Sequence, residues 1–180
     1  MIKTMMAILM MMAFAASAQA ESALLTLPYG IELGKPLTDA QKQCATSKEK
    51  EKNGAILYRF KRRFYLYVDE LGMVDLVGFN EPYHTPPRAW RNLGLKLCDE
   101  RTTVGTSYKD AMAIFKREGA RIIEDDNSPG LFRTVRFMLG EKFTYEYEFS
   151  FLKRKDDEGC GSMGLWSIKV TGDANVYDDY

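Results

Sequence analysis

Residues 143–151 alternate strictly between aromatic and polar side chains, and this alternation constrains the fold more than any other feature of the sequence. Successive side chains of a β-strand point to opposite faces of the sheet, so each set shares one face. The aromatic set is Phe143, Tyr145, Tyr147, Phe149 and Phe151, and the polar set is Thr144, Glu146, Glu148 and Ser150. The pattern predicts a half-buried strand of an antiparallel sheet, because strands of parallel sheets are buried on both faces.

Two segments that lie 71 residues apart share a spacing of glycine, aspartate and alanine. Residues 34–40 read Gly-Lys-Pro-Leu-Thr-Asp-Ala, and residues 105–111 read Gly-Thr-Ser-Tyr-Lys-Asp-Ala. Apolar residues recur at helical spacing after each glycine. They are Leu37, Ala40 and Cys44 in the first segment and Tyr108, Ala111, Met112 and Phe115 in the second. We therefore expect each half of the chain to begin with a helix.

Three strands are predicted after each helix, bounded by turn residues. In the first half they cover residues 55–60, 64–68 and 73–79, and in the second half residues 131–139, 143–151 and 165–170. Residues 81–88 connect the halves and contain three of the six prolines. A short alternation at residues 93–97 is compatible with a further strand.

Helices that precede runs of antiparallel strands are typical of an α+β fold. We predict one domain, residues 21–180, made of two tandem helix-plus-three-strand repeats at about residues 30–80 and 101–171. The strands would form an antiparallel sheet with the helices on one face and the other face open. Alternation places six candidate binding residues on that open face: Tyr65, Tyr67, Arg136, Glu146, Glu148 and Lys169. Trp90 is a further candidate, because tryptophan and tyrosine supply rigid contact area with a polar group.

The N-terminus has the organisation of a secretory signal peptide. Lys3 provides a positive charge, residues 5–16 form an uncharged apolar run, and residues 17–20 read Ser-Ala-Gln-Ala. The apolar run is shorter than the roughly 20 residues of a membrane-spanning helix, so we expect cleavage after Ala20 rather than a retained anchor. The remaining chain, residues 21–180, is therefore expected to be periplasmic or secreted, without a transmembrane anchor.

The three cysteines permit one intramolecular disulfide and one remaining thiol in an oxidising compartment. Cys44 shares the helical stripe of Leu37, and Cys98 ends the apolar alternation at residues 93–97, so both are expected to be buried. Cys160 lies between two glycines in a charged segment. We predict a Cys44–Cys98 disulfide and a free, exposed Cys160.

The glycine-initiated helices and the strand sequence of residues 68–74, Val-Asp-Glu-Leu-Gly-Met-Val, resemble those of the β-lactamase-inhibitor-protein-like fold. Each unit alone is similar to the domain of small outer-membrane assembly lipoproteins. The resemblance implies a non-enzymatic envelope or secreted protein that binds another protein on its sheet. The chain departs from the family because it lacks a lipid-anchor cysteine and an intra-repeat cysteine pair in each half. No binding residue is transferred by the resemblance.

Charge and composition argue against several classes of function. The 25 basic and 25 acidic residues balance, so the basic cluster at residues 58–64 reads as a solvated turn and not as a nucleic-acid surface. His84 is the one histidine and has no neighbouring nucleophile. Residues 125–136 lack the glutamate that an EF-hand requires at its last position, where Arg136 stands. We expect no metal and no cofactor.

Three functions remain in competition. The leading hypothesis is a non-catalytic protein-binding module, such as an inhibitor or immunity-type protein, that uses the open sheet face for an unidentified partner in the envelope or outside the cell. The alternative is a periplasmic protein that binds a small molecule or a cell-wall ligand in a groove between the halves. A hydrolase that uses Glu146 and Glu148 is the least favoured, because like charges two residues apart on one strand face are more simply solvated.

The signal-peptide prediction is testable by mass. We expect the exported protein to begin at Glu21, because the small residues before it form the cleavage pattern. Intact-mass measurement of protein recovered from the periplasm or the medium checks this. A full-length, membrane-bound form would contradict it.

Overall fold

The structure, a computed structural model, describes residues 22–61, 64–79, 85–98, 104–127, 132–139, 145–153 and 162–172. The predicted signal peptide, residues 1–20, and the positions of His84 and Cys160 lie outside these ranges. Eight strands are present in the described part: β1 Ser47–Lys50, β2 Ile56–Phe60, β3 Phe64–Val68, β4 Val74–Phe79, β5 Arg121–Asp126, β6 Phe132–Leu139, β7 Tyr145–Lys153 and β8 Ser162–Gly172.

All eight strands belong to one antiparallel sheet with the order β1-β2-β3-β4-β8-β7-β6-β5. The first four strands form a meander, the last four form a second meander, and β4 pairs with β8 to join them. The antiparallel sheet that the alternation predicted is therefore confirmed. Two strands were missed: β1 and β5 are edge strands whose residues are all exposed, so neither has the buried face that creates an alternating pattern.

Within the described ranges, three α-helices accompany the sheet: α1 Asp39–Gln43, α2 Arg88–Asn92 and α3 Tyr108–Arg117. Two 3₁₀ turns, Ala23–Leu25 and Pro28–Gly30, precede them. The Thr38 side chain caps α1 and the Ser107 side chain caps α3, each accepting a hydrogen bond from a backbone N–H of the first turn. The alternation at residues 93–97 does not form a strand, because α2 is followed by a turn and an irregular segment in which Leu95 is fully buried.

The core lies against the aromatic side of β7. Tyr147, Phe149 and Phe151 are fully buried there together with Phe137 of β6. Phe115 of α3 covers this group, with its ring centroid 4.5 Å from those of Phe137 and Phe149. Tyr147, Phe149 and Phe151 thus form the buried apolar surface of β7 against which α3 packs, and this packing stabilises helix and sheet together. Phe143 of the predicted aromatic set lies outside the described residues.

One backbone carbonyl satisfies two polar groups inside this core. The Trp90 ring N–H of α2 donates to the Leu24 carbonyl at 3.1 Å, and the Tyr147 hydroxyl donates to the same oxygen at 2.8 Å. Burial raises the pKa of Tyr147, so its phenol stays protonated and remains a donor. These bonds attach the N-terminal segment to α2 and to β7 of the second meander. They also leave neither buried donor without a partner, which would be costly.

The expectation for the first helix is wrong in part. Leu37 is buried, but Ala40 and Cys44 are exposed and no residue of α1 is buried. A helix of five residues is little more than one turn, and the adjoining core is filled by Leu24 and other apolar residues of the N-terminal segment: Leu27, Ile31 and Leu33. These residues precede the glycine-containing segment that begins at Gly34, and the helical spacing after Gly34 predicted that α1 would cover the core in their place.

The predicted Cys44–Cys98 disulfide is also wrong. Cys44 is exposed and its thiol is free. Cys98 is 3% exposed and packs against Trp166, and its N–H donates to the Leu165 carbonyl of β8 at 2.7 Å. The two cysteines therefore lie in different environments, one on the surface after α1 and one beside β8.

We expect the disulfide of this chain to join Cys98 and Cys160. Cys98 is disulfide-bonded, Cys44 is free, and the sequence contains three cysteines. A disulfide between Cys98 and Cys160 would close a loop of about 60 residues, and in the chain-entropy model a loop of that length stabilises the fold by about 4 kcal/mol. Peptide mapping without reduction should find Cys98 linked to Cys160, and Cys44→Ser should leave that link intact. A linked peptide that contains Cys44 would contradict the assignment.

Candidate functional site

The candidate site is the sheet face that carries the polar side of β7, here called the polar face. Residues paired directly across neighbouring strands share a face, so the strand registers determine its membership. One continuous cross-strand row, here called the central row, runs through all eight strands: Ser47, Arg59, Tyr65, Gly78, Lys169, Glu148, Arg136 and Glu124. The adjacent row contains Leu57, Tyr67, Leu76, Thr171, Glu146, Met138 and Arg121.

The six sequence-predicted residues of the open face all lie in these two rows. Tyr65, Lys169, Glu148 and Arg136 belong to the central row. The other two, Tyr67 and Glu146, belong to the adjacent row. The registers thus bring residues from four strands onto one surface, which strand alternation alone could not do because it does not reveal strand order.

Trp90 is not part of this surface. It is fully buried, with its ring between Phe79 and Tyr147 on the core side of the sheet. Its ring N–H is already bonded to the Leu24 carbonyl. The prediction that Trp90 contributes to binding is therefore wrong: the polar group of this tryptophan satisfies an internal acceptor and its ring fills the core.

Tyr65 lies flat over Gly78 in the middle of the polar face. A Cβ atom on Gly78 would sit 2.2 Å from Cζ of Tyr65, so only glycine leaves room for the ring. Tyr65 is 8% exposed, and the Tyr67 ring meets it edge-on with the centroids 5.9 Å apart. Gly78 therefore leaves space on β4 for the Tyr65 ring, and Tyr65 in turn holds the Tyr67 ring against the sheet.

Charges of alternating sign follow Gly78 along the central row. Lys169 donates to Glu148 at 2.9 Å, and Arg136 is bonded to Glu124 of β5. Arg136 also donates to Glu146 of the adjacent row at 3.2 Å. The hydrogen bond to Glu124 raises the pKa of Arg136 and is the largest cause of that shift. Both glutamates of β7 are therefore paired with cations.

A second charged cluster lies on the core side of the sheet, in the segment that does not fit an EF-hand. Arg133 binds Asp125 through two hydrogen bonds of 2.7 Å, and the Tyr108 hydroxyl donates to Asp125 at 2.6 Å. The guanidinium also stacks on the Tyr108 ring. Hydrogen bonding from Arg133 holds the pKa of Asp125 below its usual value. This cluster links the first turn of α3 to β5 and β6, which is a structural role.

A surface cleft of about 540 Å³ lies at the start of α3 and is lined by residues that include Lys96, Thr106 and Asp110. It contains no residue of the polar face. Among the described residues, no group of three histidine, cysteine or acidic side chains is arranged to hold a metal ion. In the same part of the chain, no helix has the length and apolar character needed to cross a membrane.

Comparisons with protein-family models, with curated proteins and with solved structures find no match to this chain.

The packing of Tyr65 on Gly78 is testable with a double-mutant cycle. Gly78→Ala should lower the free energy of unfolding by about 1–3 kcal/mol, because the new methyl group displaces the ring. In a Tyr65→Ala background the same change should be neutral or stabilising, since alanine restricts the unfolded chain more than glycine. Urea denaturation of the four proteins measures both effects. An equal loss in the two backgrounds would contradict the contact.

Proposed function

We propose that this chain is an exported, non-catalytic protein-binding module, such as an inhibitor or immunity-type protein, and that its polar face binds the partner. The observation that carries the proposal is the central row: an anchored tyrosine and two ion pairs in one line across the sheet. Protein interfaces commonly combine aromatic contact area with charges of fixed position, and the polar face has both.

The size of the face supports a macromolecular partner. Eight strands with a spacing of about 4.8 Å make a sheet about 34 Å wide, and six residues of strand add a length of about 20 Å. The resulting area of about 700 Å² is close to the roughly 800 Å² that each partner buries in a standard protein interface. A small ligand would instead need a concave pocket that encloses it.

The chemistry of the face suggests how binding energy and specificity are divided. Tyr67 provides contact area at low conformational cost, because its ring packs edge-on against the buried ring of Tyr65, which lies over Gly78. Arg136, Lys169 and Glu148 are 31–43% exposed in their side chains, so they remain accessible while paired. We infer that Tyr67, supported by Tyr65, supplies most of the affinity and that the charges select the partner.

We also propose that the two meanders are tandem repeats, each of one helix with its strands, and that the helices cover one face of the sheet. The backbone contacts that precede α1 and α3 correspond. Val74 of β4 donates to the Lys35 carbonyl, and Leu165 of β8 donates to the Thr106 carbonyl, both at 2.9 Å. Lys35 and Thr106 are 71 residues apart, which is the offset of the two glycine-containing segments.

The register between the two meanders supports the same proposal. Gly78 pairs with Lys169 within the β4–β8 contact, and these residues are 91 apart, as are Val74 and Leu165. A twofold rotation through this pair would exchange the flanking pairs, which are Val77 with Val170 and Phe79 with Ile168. In such a duplication the two meanders share one continuous polar face, because β4 of the first pairs with β8 of the second. It agrees with the resemblance to the β-lactamase-inhibitor-protein-like fold, which implies protein binding on the sheet.

The experiment compares capture by the mature chain and by variants of the polar face. Immobilised wild type, Tyr67→Ala and Lys169→Glu are exposed to periplasmic extract and culture medium, and bound proteins are identified by mass spectrometry. Lys116→Glu on the exposed side of α3 is the matched charge control. We expect a specific partner whose affinity falls roughly 30-fold or more with Tyr67→Ala, the loss typical of an interface hot spot.

The outcomes separate the proposal from its alternatives. A partner that binds wild type and Lys116→Glu but not the two face variants supports the polar face. A protein partner that all four chains bind equally contradicts it. Binding of a small molecule or cell-wall fragment that depends on Lys96 would favour the cleft beside α3 and a ligand-binding function.

A further inference from the structure

Two aspartates, Asp69 and Asp75, lie where β3 turns into β4, at one end of the polar face. Asp69 follows Tyr67 by two residues, so strand alternation places it on the same face. The Met73 N–H donates to the Asp69 carboxylate at 2.8 Å, which fixes that side chain in the turn. The register shifts between Tyr67 and Val68, so Asp75 has no partner on β3. This bulge adds Asp75 to β4, close enough to Asp69 for the two charges to interact.

These two aspartates differ from the glutamates of the polar face in having no cation partner. Glu124, Glu146 and Glu148 each bind an arginine or a lysine of the same sheet. In the described part of the chain, neither Asp69 nor Asp75 forms an ion pair. Burial and, after it, the negative charge of Asp69 raise the pKa of Asp75. The free chain therefore holds two like charges together without a compensating charge.

Accessible apolar side chains lie next to these acids on the same two strands. Tyr67 and Leu76 pair across the strands beside the bulge, and both are half-buried. Met73 is 36% exposed, and methionine adapts its shape to the group that it contacts. Such surroundings suit a side chain with an apolar stem and a cationic end. Arginine fits this description better than lysine, because its planar guanidinium can donate to two carboxylates at once.

We propose that the partner of the polar face places an arginine side chain between Asp69 and Asp75, next to an apolar residue that contacts Tyr67. This inference rests on the proposed function, because it names one group that the partner brings to the same face. The arginine supplies the positive charge that these aspartates lack, whereas the ion pairs of the central row are already complete.

A calcium ion is the competing occupant of a pair of carboxylates. Calcium needs six or more oxygen ligands, and the described residues contain no group of three histidine, cysteine or acidic side chains arranged to hold a metal ion. The apolar side chains of Tyr67, Met73 and Leu76 offer no further oxygen ligands except the tyrosine hydroxyl. The surroundings of the two aspartates therefore favour the arginine.

Peptide titration tests the site without the natural partner. The mature chain is labelled with ¹³C in its methionine methyl groups, so that the NMR signal of Met73 reports binding. The probes are acetyl-Leu-Arg-Leu-amide and the same peptide with citrulline, which has nearly the shape of arginine without its charge. We expect the arginine peptide to shift the Met73 signal and to bind roughly tenfold or more tightly than the citrulline peptide.

Neutral variants test which acids are responsible. Asp69→Asn and Asp75→Asn should each abolish the preference for arginine, and asparagine at position 69 can still accept the Met73 N–H. The matched control is Asp39→Asn, which removes an acid of α1 that is 92% exposed and should leave the preference unchanged. Asp75→Asn should also raise the midpoint of urea denaturation, because it removes a repulsion between like charges in the free chain.

Four results would overturn the proposal. They are equal binding of the two peptides, a preference for arginine that survives Asp75→Asn, a lower urea midpoint for Asp75→Asn, and a Met73 shift with millimolar calcium chloride that Asp75→Asn abolishes. A protein captured by the polar face whose affinity is the same for Asp75→Asn also overturns it, and leaves the proposed function intact. Failure to capture any protein contradicts the proposed function alone, because the peptide titration needs no natural partner.

Discussion

The pairing of β4 with β8 is the interaction on which the rest of the structure depends. These strands are distant in sequence, and each closes a meander that could not by itself form the central row. Their register places Gly78 opposite Lys169, which aligns the tyrosine pair of one meander with the ion pairs of the other. The same pairing aligns the buried rows on the core side, so one register determines both the packing of the core and the composition of the polar face.

The sequence predicted the strands with a buried face and the side on which their residues lie. Tyr65 and Glu148 were assigned to the polar face from alternation alone, since period two is a property of each strand. Edge strands β1 and β5 were missed because exposure on both sides removes that period. Strand order was also inaccessible, so the ladder from Lys169 to Glu124 could not be foreseen.

The errors in the prediction share a physical cause, which is that local patterns do not report what else competes for the core. Cys44 follows an apolar spacing, but the N-terminal segment fills the space that its helix would cover. Trp90 has the residue type of a binding hot spot, but its ring N–H satisfies the Leu24 carbonyl together with Tyr147. Both outcomes depend on residues more than ten positions away, whose proximity only the folded chain creates.

In the proposed binding function, the pairing of charges within the polar face determines what a partner would have to provide. Because Lys169 and Arg136 already bind acids of the same sheet, a partner that covers them removes water from complete ion pairs and not from isolated charges. A charge on the partner that faces such an ion pair adds little affinity. A partner charge that lies against the member of the pair with the same sign is repelled by it. In this proposal the net attraction comes from apolar contact with Tyr67, whose ring packs against the Tyr65 ring that Gly78 accommodates. The alternating row therefore favours a partner with a charge pattern of the opposite order and an apolar residue aligned with Tyr67.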